Sequence, residues 1–279
     1  MLSLILKPLA LLPLAMLHSL GKMLGHILFY SMQKTRSRAI SNITQSQLCS
    51  NQITETTRQS FISLGKAALE IPYIWNSNNQ KIANLVQDVQ GWETVEHAIK
   101  ANKGIIFLTP HMGCFEIAPL YYALHYPVSV LFRPPKKKWL MPLINAGRTR
   151  PNITLAEANA NGVRKLLKAL KRGEAIGILP DQVPRAGEGE WADFFGKTAY
   201  TMTLASKLAT KTGATVIMAF AERLAKGKGY VLHLTKVDSI NTPTLLNQAL
   251  ERQIKECPNQ YYWGYHRYKV SRKSKEKPQ

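Results

Sequence analysis

Short, unbroken apolar runs recur along this chain, and most are followed by a segment with helical spacing. GIIFL at 104–108, VSVLF at 128–132, AIGIL at 175–179, TVIMAF at 215–220 and YVLHL at 230–234 do not alternate in polarity. Strands read this way when both faces of their sheet are covered, which requires helices on either side. The covering segments are present. Residues 35–76 are helical in pattern, including ITETTRQSFISLGKAALEIPYIW. WETVEHAIKA is amphipathic and stops at Asn102-Lys103-Gly104. Further helices are expected over 114–125, 162–174 and 242–258, the last with a threonine cap, and a basic one follows a turn within 134–150. The Gly-rich stretch 183–198 reads as a loop, and YTMTLASKLATKTG reads as a helix stopped by Gly213. The fold class is therefore α/β, with a mixed, mainly parallel sheet flanked by helices. Neither a repeat nor a Pro/Ser linker divides it, so one globular domain spans 34–270, between an N-terminal segment 1–33 and a disordered basic tail, 271–279.

Residues 1–33 hold only Lys7 and Lys22 as formal charges, and KTRSR follows at 34–38. A helix over this stretch is long enough to cross a hydrocarbon layer, and flanking basic residues keep their side cytoplasmic. The segment is expected to anchor the chain to a membrane, spanning it or lying in its interface. The alternative is an apolar helix docked on the body. Charge supports an acidic surface as partner. There are 37 Lys and Arg against 17 Asp and Glu, a net charge of +20. Such an excess selects for an acidic protein, an anionic membrane or nucleic acid. No nucleic-acid module is recognisable, so that class is set aside. Three scattered cysteines form no CxxC, which argues against a disulfide framework and against zinc.

Polar residues sit where three of the apolar runs end. His111 follows GIIFLTP, Arg133 ends PVSVLFR, and Asp181-Gln182 follow AIGILP. In open α/β sheets ligands collect beyond the carboxyl ends of strands, so these loops are candidates for a common site. Within PHMGCFE, His111 and Glu116 are five residues apart, a turn of about 140° on one helix. They can meet if His111 stands in the loop and Glu116 in the first turns of the helix. A neutral imidazole held by a carboxylate is a general base. No GxSxG supplies a nucleophile and Cys114 reads as a packing residue, so the base must activate a substrate hydroxyl or water, with Arg133 beside the developing oxyanion.

PHMGCFE, LFRPPKK, GILPDQVPRAGEGEWADFFGKTAYTMTLASKLA and PNQYYWGYHRYK occur in this order, with the Glu70 region and the apolar N-terminus before them. Together they resemble the late lipid A acyltransferases (HtrB/MsbB type), within the lysophospholipid acyltransferase-like superfamily. The resemblance implies a glycerolipid acyltransferase-like fold and an enzyme on the cytoplasmic face of the inner membrane. It would move a fatty acyl chain from acyl carrier protein to a hydroxyl of a lipid A precursor, without cofactor or metal. It also implies His111 as the base with Glu116 as its partner. Arg133, Asp181, Gln182 and Gly196 of the FFG loop would line the substrate site. Another glycolipid or lipid acceptor is the alternative. Basic residues at 136–138, 148 and 150, and at 164, 165, 168, 171 and 172, are candidate contacts for phosphates, the second group being equally a solvated helix face. The aromatic-basic QYYWGYHRYK is either a packing element or a surface segment on the site's side.

Overall fold

The apolar runs form the middle of one seven-stranded sheet. The computed structural model describes residues 9–135 and 137–269; residues 1–8 of the predicted anchor, Lys136, Val270 and the tail 271–279 lie outside the described residues. The strands are β1 (Val86–Gln90), β2 (Ile105–Leu108), β3 (Val128–Phe132), β4 (Ile153–Glu157), β5 (Ala175–Ile178), β8 (Thr215–Arg223) and β9 (Tyr230–Val237). They lie in the order β1-β9-β8-β2-β5-β3-β4. Only the β8–β9 pairing is antiparallel. Every residue of β2 and β5 is buried, which explains their continuous apolar sequences.

Two cores follow from the pleat. Ile106, Leu108, Ile176 and Ile178 point to one face, against Leu166 of α8 (Ala160–Lys171), Leu208 of α9 (Leu204–Thr212) and Leu250 of α10 (Pro243–Glu256). Ile105, Phe107, Val130 and Ala219 point to the other, against Val95 of α5 (Trp92–Ala101) and Ile117 and Leu120 of α6 (Ile117–Tyr122). Side chains cap the helices where the sequence offers acceptors. Asn159 accepts from the Gly162 amide and Thr242 from the Leu245 amide.

Two expectations change. The stretch 183–198 is not a loop throughout, nor is 200–202 helical. β6 (Gly189–Phe194) and β7 (Lys197–Met202) form an antiparallel hairpin. Its turn residues, Phe195 and Gly196, have φ of 50° and 70°. A tight hairpin turn needs positive φ at both positions, and a phenylalanine in the first of them hides the signal. β1 was unrecognisable for a different reason: VQDVQ is a polar edge strand with no buried residue.

The expected membrane-spanning helix is also absent: among the described residues no helix is long and apolar enough to cross a membrane. α1 (Leu14–Ser31) instead lies along α3 (Ile53–Trp75). Gly21 and Gly25 meet Gly65 so closely that a Cβ on Gly65 would stand 2.2 Å from the Gly21 carbonyl oxygen. Leu14, Leu17, His18 and Phe29 face inward, while Met16, Leu20, Met23, Ile27 and Tyr30 stay exposed on the opposite face. Beneath the helix, His18 Nε2 is 3.0 Å from Glu70 Oε2. Arg223 Nε donates to Glu70 Oε1 at 2.9 Å and Tyr230 Oη to Oε2 at 3.0 Å. Arg223 Nη1 donates to Ser63 Oγ at 2.9 Å. An apolar N-terminal helix is thus docked through a buried polar cluster.

Candidate active site

The loop after β2 carries His111, and its backbone is held from two sides. Gly113 has φ +53°, and a Cβ there would lie 2.0 Å from the Ala221 carbonyl oxygen. Only glycine permits that approach in that conformation. The Cys114 amide donates to Ala221 O at 2.8 Å, the Gly113 amide to Gln260 O at 3.1 Å, and the Tyr262 amide to His111 O at 3.0 Å. The Gln260 side chain in turn bonds both backbone groups of Arg223, at 2.9 and 3.1 Å. The QYYW segment therefore braces the histidine loop from behind.

Asp181, at the end of the adjacent strand β5, holds the ring. His111 Nδ1 lies 2.8 Å from Asp181 Oδ1, and the His111 amide donates to Oδ2 at 3.0 Å. Gln182 Nε2 is 3.2 Å from His111 Nε2. The tautomer that satisfies both contacts carries its proton on Nδ1, donated to Asp181, and keeps the Nε2 lone pair for the cleft. Burial works against the charged imidazolium, but the charge and hydrogen bond of Asp181 outweigh it, with help from Glu116. The His111 pKa is raised above its ordinary value of 6.5. Asp181 is itself buried, which favours its neutral form, yet His111 and the two hydrogen bonds hold its pKa low.

The expected His111–Glu116 contact is not the one that forms. Glu116 caps α6 from a helical conformation, and its carboxylate accepts from Trp75 Nε1 at 2.9 Å and from Arg148 Nε at 3.0 Å. Arg148 Nη2 completes a bidentate pair with Glu116. Arg148 ends α7 (Met141–Arg148), and Gly147 before it lets the Trp75 ring approach: a Cβ at 147 would be 2.3 Å from that ring. Arg148 belonged only to a basic patch in the sequence. Trp75, 41 positions from Glu116, carried no signal at all.

His111, Glu116, Arg133, Arg148 and Gln182 meet around one cleft of about 330 Å³, with Phe115, Val130 and Leu179 on its apolar side. Arg133 stands exposed at the rim. Asp181 does not line the cleft; it is buried behind the ring, 3% exposed. Gly196 does not line it either. It occupies the β6–β7 turn, where the Phe195 amide donates to Glu251 at 2.6 Å and the Phe195 carbonyl accepts from Gln45 at 2.9 Å. Of the cations read as a patch, Arg150 donates to the Trp75 and Ser77 carbonyls at 2.9 and 3.0 Å, which is a structural use. Cys114 is buried and free, and burial pushes its thiol pKa well up, so it makes a poor nucleophile. Among the described residues no three His, Cys, Asp or Glu side chains gather as metal ligands.

A histidine whose Nε2 meets only Gln182, a guanidinium wall and an apolar wall stand together at the carboxyl end of a mainly parallel sheet, an arrangement whose chemistry suits the activation of a hydroxyl or water. The family model described as bacterial lipid A biosynthesis acyltransferase matches residues 2–270, and the chain belongs to that family. It is 26% identical over 271 residues to the lipid A biosynthesis palmitoleoyltransferase of Escherichia coli K12, covering 93% of this chain and 87% of that one. The lauroyltransferase of the same organism is 25% identical over 272 residues, with the same shares. Its myristoyltransferase is 24% identical over 246 residues, covering 83% and 74%.

Proposed function

We propose that this protein transfers a fatty acyl group from the thioester of acyl carrier protein to a hydroxyl of a lipid A precursor, at the cytoplasmic face of the inner membrane. The observation that carries the reading is the His111 ring on the cleft wall, held by Asp181 through Nδ1 while Nε2 meets Gln182, another residue of that wall. Nε2 takes the proton of the acceptor hydroxyl as that oxygen attacks the thioester carbon. The carbon–sulfur bond then breaks, and the imidazolium returns the proton to the departing thiolate. Asp181 orients the ring and stabilises its charged form. Glu116 acts one step removed: it fixes Arg148 in the wall and adds its negative field to His111. Arg133 at the rim and Arg148 in the wall suit the acceptor's phosphates or the oxyanion. Gln182 donates to Nε2 until the hydroxyl replaces it.

The chain's +20 charge suits both an acidic carrier protein and an anionic bilayer. Met16, Leu20, Met23, Ile27 and Tyr30, exposed along one side of α1, suit a helix that lies in the lipid interface rather than crossing it. The purified protein, incubated with acyl carrier protein thioesters and a lipid A precursor, is expected to add one acyl mass to the acceptor. Failure with every thioester and acceptor offered would refute the reaction. Leu20→Lys with Ile27→Lys is expected to release the protein from anionic vesicles in a sedimentation assay. Unchanged pelleting would place the lipid contact elsewhere.

A further inference from the structure

The helices α8 and α9 carry basic residues and no acidic one. On α8, Arg164, Lys168 and Lys171 follow at steps of four and three and form one exposed stripe, with Lys165 beside it. On α9, Lys207 and Lys211 stand one turn apart, both exposed. The two helices pack beside each other on the same face of the sheet. Among the described residues none of these six cations takes part in an ion pair. Arg164 donates to Asn161 Oδ1 at 3.0 Å. Arg172, just past the helix, is already held by Glu174.

A basic chain does not produce such a face by itself. α10 mixes its signs, with Glu251 and Glu256 among Arg252 and Lys255. An exposed helix gains from opposite charges at i and i+4 and loses from like ones. Even so, Arg164 stands four residues before Lys168, and Lys207 four before Lys211. Attraction to the carboxyl end of the helix accounts for Lys168 and Lys171. It accounts neither for Arg164 and Lys165, nearer the start, nor for the missing acids. A single-sign field kept against this cost steers a partner of opposite sign.

That partner is a protein rather than a bilayer. A helix lying in a lipid interface immerses an apolar side, and the apolar side of α8, with Leu166, Ala169 and Leu170, is buried on the sheet. Among the described residues the large exposed apolar side chains lie on neither α8 nor α9. Most belong to α1, which packs on α3 and against the β8–β9 turn, where Gly227 lies against Ala15. α8 packs on β3, β4 and β5, toward the β4 edge of the sheet. The basic face also has a way into the site. Between α7 and the start of α8 lies a depression of about 410 Å³, with Asn145, Asn161 and Lys165 in its wall. Glu157, in the same wall, accepts from Asn159 at 3.0 Å. Phe132 and Leu155 line both this depression and the catalytic cleft.

We infer that the basic face of α8 and α9 is the docking surface for the acidic carrier protein, whose thioester-bearing arm enters the cleft through the depression beside Lys165. The identity of the partner rests on the acyl-transfer reading: an acidic protein has to bring a thioester to His111, and this face joins unpaired cations to an entrance. Docking of this kind acts on encounter and affinity, not on the chemical step.

The test compares two double charge reversals of equal net charge in the full chain: Lys168→Glu with Lys171→Glu on α8, and Arg252→Glu with Lys255→Glu on α10. Each is assayed with acyl carrier protein thioester and a lipid A precursor. The α8 pair is expected to raise KM for the thioester by about tenfold or more at low ionic strength. Its kcat at saturating thioester is retained, and the fall of kcat/KM with added salt is flattened. The α10 pair stays near wild type in all three. Lys207→Glu with Lys211→Glu on α9 repeats the measurement and covers the case in which the α8 pair impairs folding. If wild type is active and the α8 and α10 pairs shift KM equally, or not at all, the inference is overturned while the reaction stands. Loss of pelleting with anionic vesicles in the α8 pair, with KM unchanged, overturns it too and makes the face a lipid contact. If wild type transfers nothing, the reaction fails, and calorimetric titration with acyl carrier protein decides the surface separately. Binding weakened by the α8 pair alone supports it, and no binding, or binding that both pairs weaken equally, overturns it.

Discussion

Glu70 and Asp181 are both buried acids, 1% and 3% exposed, and each holds a basic partner close to the loop that carries His111. Glu70 is enclosed on all sides. Arg223, Tyr230 and His18 occupy its two oxygens, and none of these groups opens onto the cleft through a free polar atom. Asp181 also has both oxygens occupied, by the His111 ring and amide. Its partner, however, keeps one nitrogen on the cleft. Burial of an acid–base pair is therefore not the mark of a reactive site; the partner's remaining lone pair is. The two clusters are connected through backbone, since Gln260 links Arg223 to Gly113. The structural cluster thus sets the platform on which the reactive one stands.

Their titrations run in opposite senses. Burial raises the Glu70 pKa, but Arg223 and His18 overcome it and hold the carboxyl at about 2. Its contribution to stability is complete above the unfolded carboxylate value of 4.5 and is lost as pH falls through about 2. His111 is raised. Its contribution is complete below the unfolded value of 6.5 and is lost as pH rises through the raised folded value. Under the proposed mechanism activity rises as the imidazole loses its proton, so activity and this increment of stability are expected to exchange over the same pH interval.

Substitutions separate the two acids. His111→Ala should cut acyl transfer on the order of 10²–10⁴-fold, the loss of a positioned base, with the melting transition retained; transfer within a few-fold of wild type would remove His111 from the chemistry. Glu70→Gln leaves Arg223 buried without its charge partner and should cost about 3–5 kcal/mol in denaturant unfolding. The acid limb of its pH–rate profile should stay in place. Stability near wild type with a displaced limb would mean that Glu70 belongs to the reactive cluster after all. Asp181→Asn should lower kcat/KM by roughly 10²-fold and move the acid limb to lower pH, because the largest group raising the His111 pKa is gone. An unmoved limb would assign the titration to another residue.

Much of this architecture was legible in a line of residues. β2, β5 and β8 are buried on both faces, so their sequences are apolar without interruption, and the helices between them have the period their single buried stripe demands. The strand-end positions of His111, Arg133 and Gln182 followed from the same pattern, and all three reach one cleft. The hairpin β6–β7 escaped because a phenylalanine occupies a turn position usually given to small residues, and β1 escaped because an edge strand needs no apolar face.

The choice of partner for each charged group lay outside the reach of the chain order. Five residues separate His111 from Glu116 and seventy separate it from Asp181, yet strand pairing of β2 with β5 puts the distant acid against the ring. Glu116 goes to Trp75 and Arg148, and the Trp75 ring approaches only because Gly147 leaves it room. Hydrophobic period is a local property, written into neighbouring residues by the face each element must bury. Ion pairing and cavity shape depend on which elements become neighbours, and that is decided when the sheet assembles.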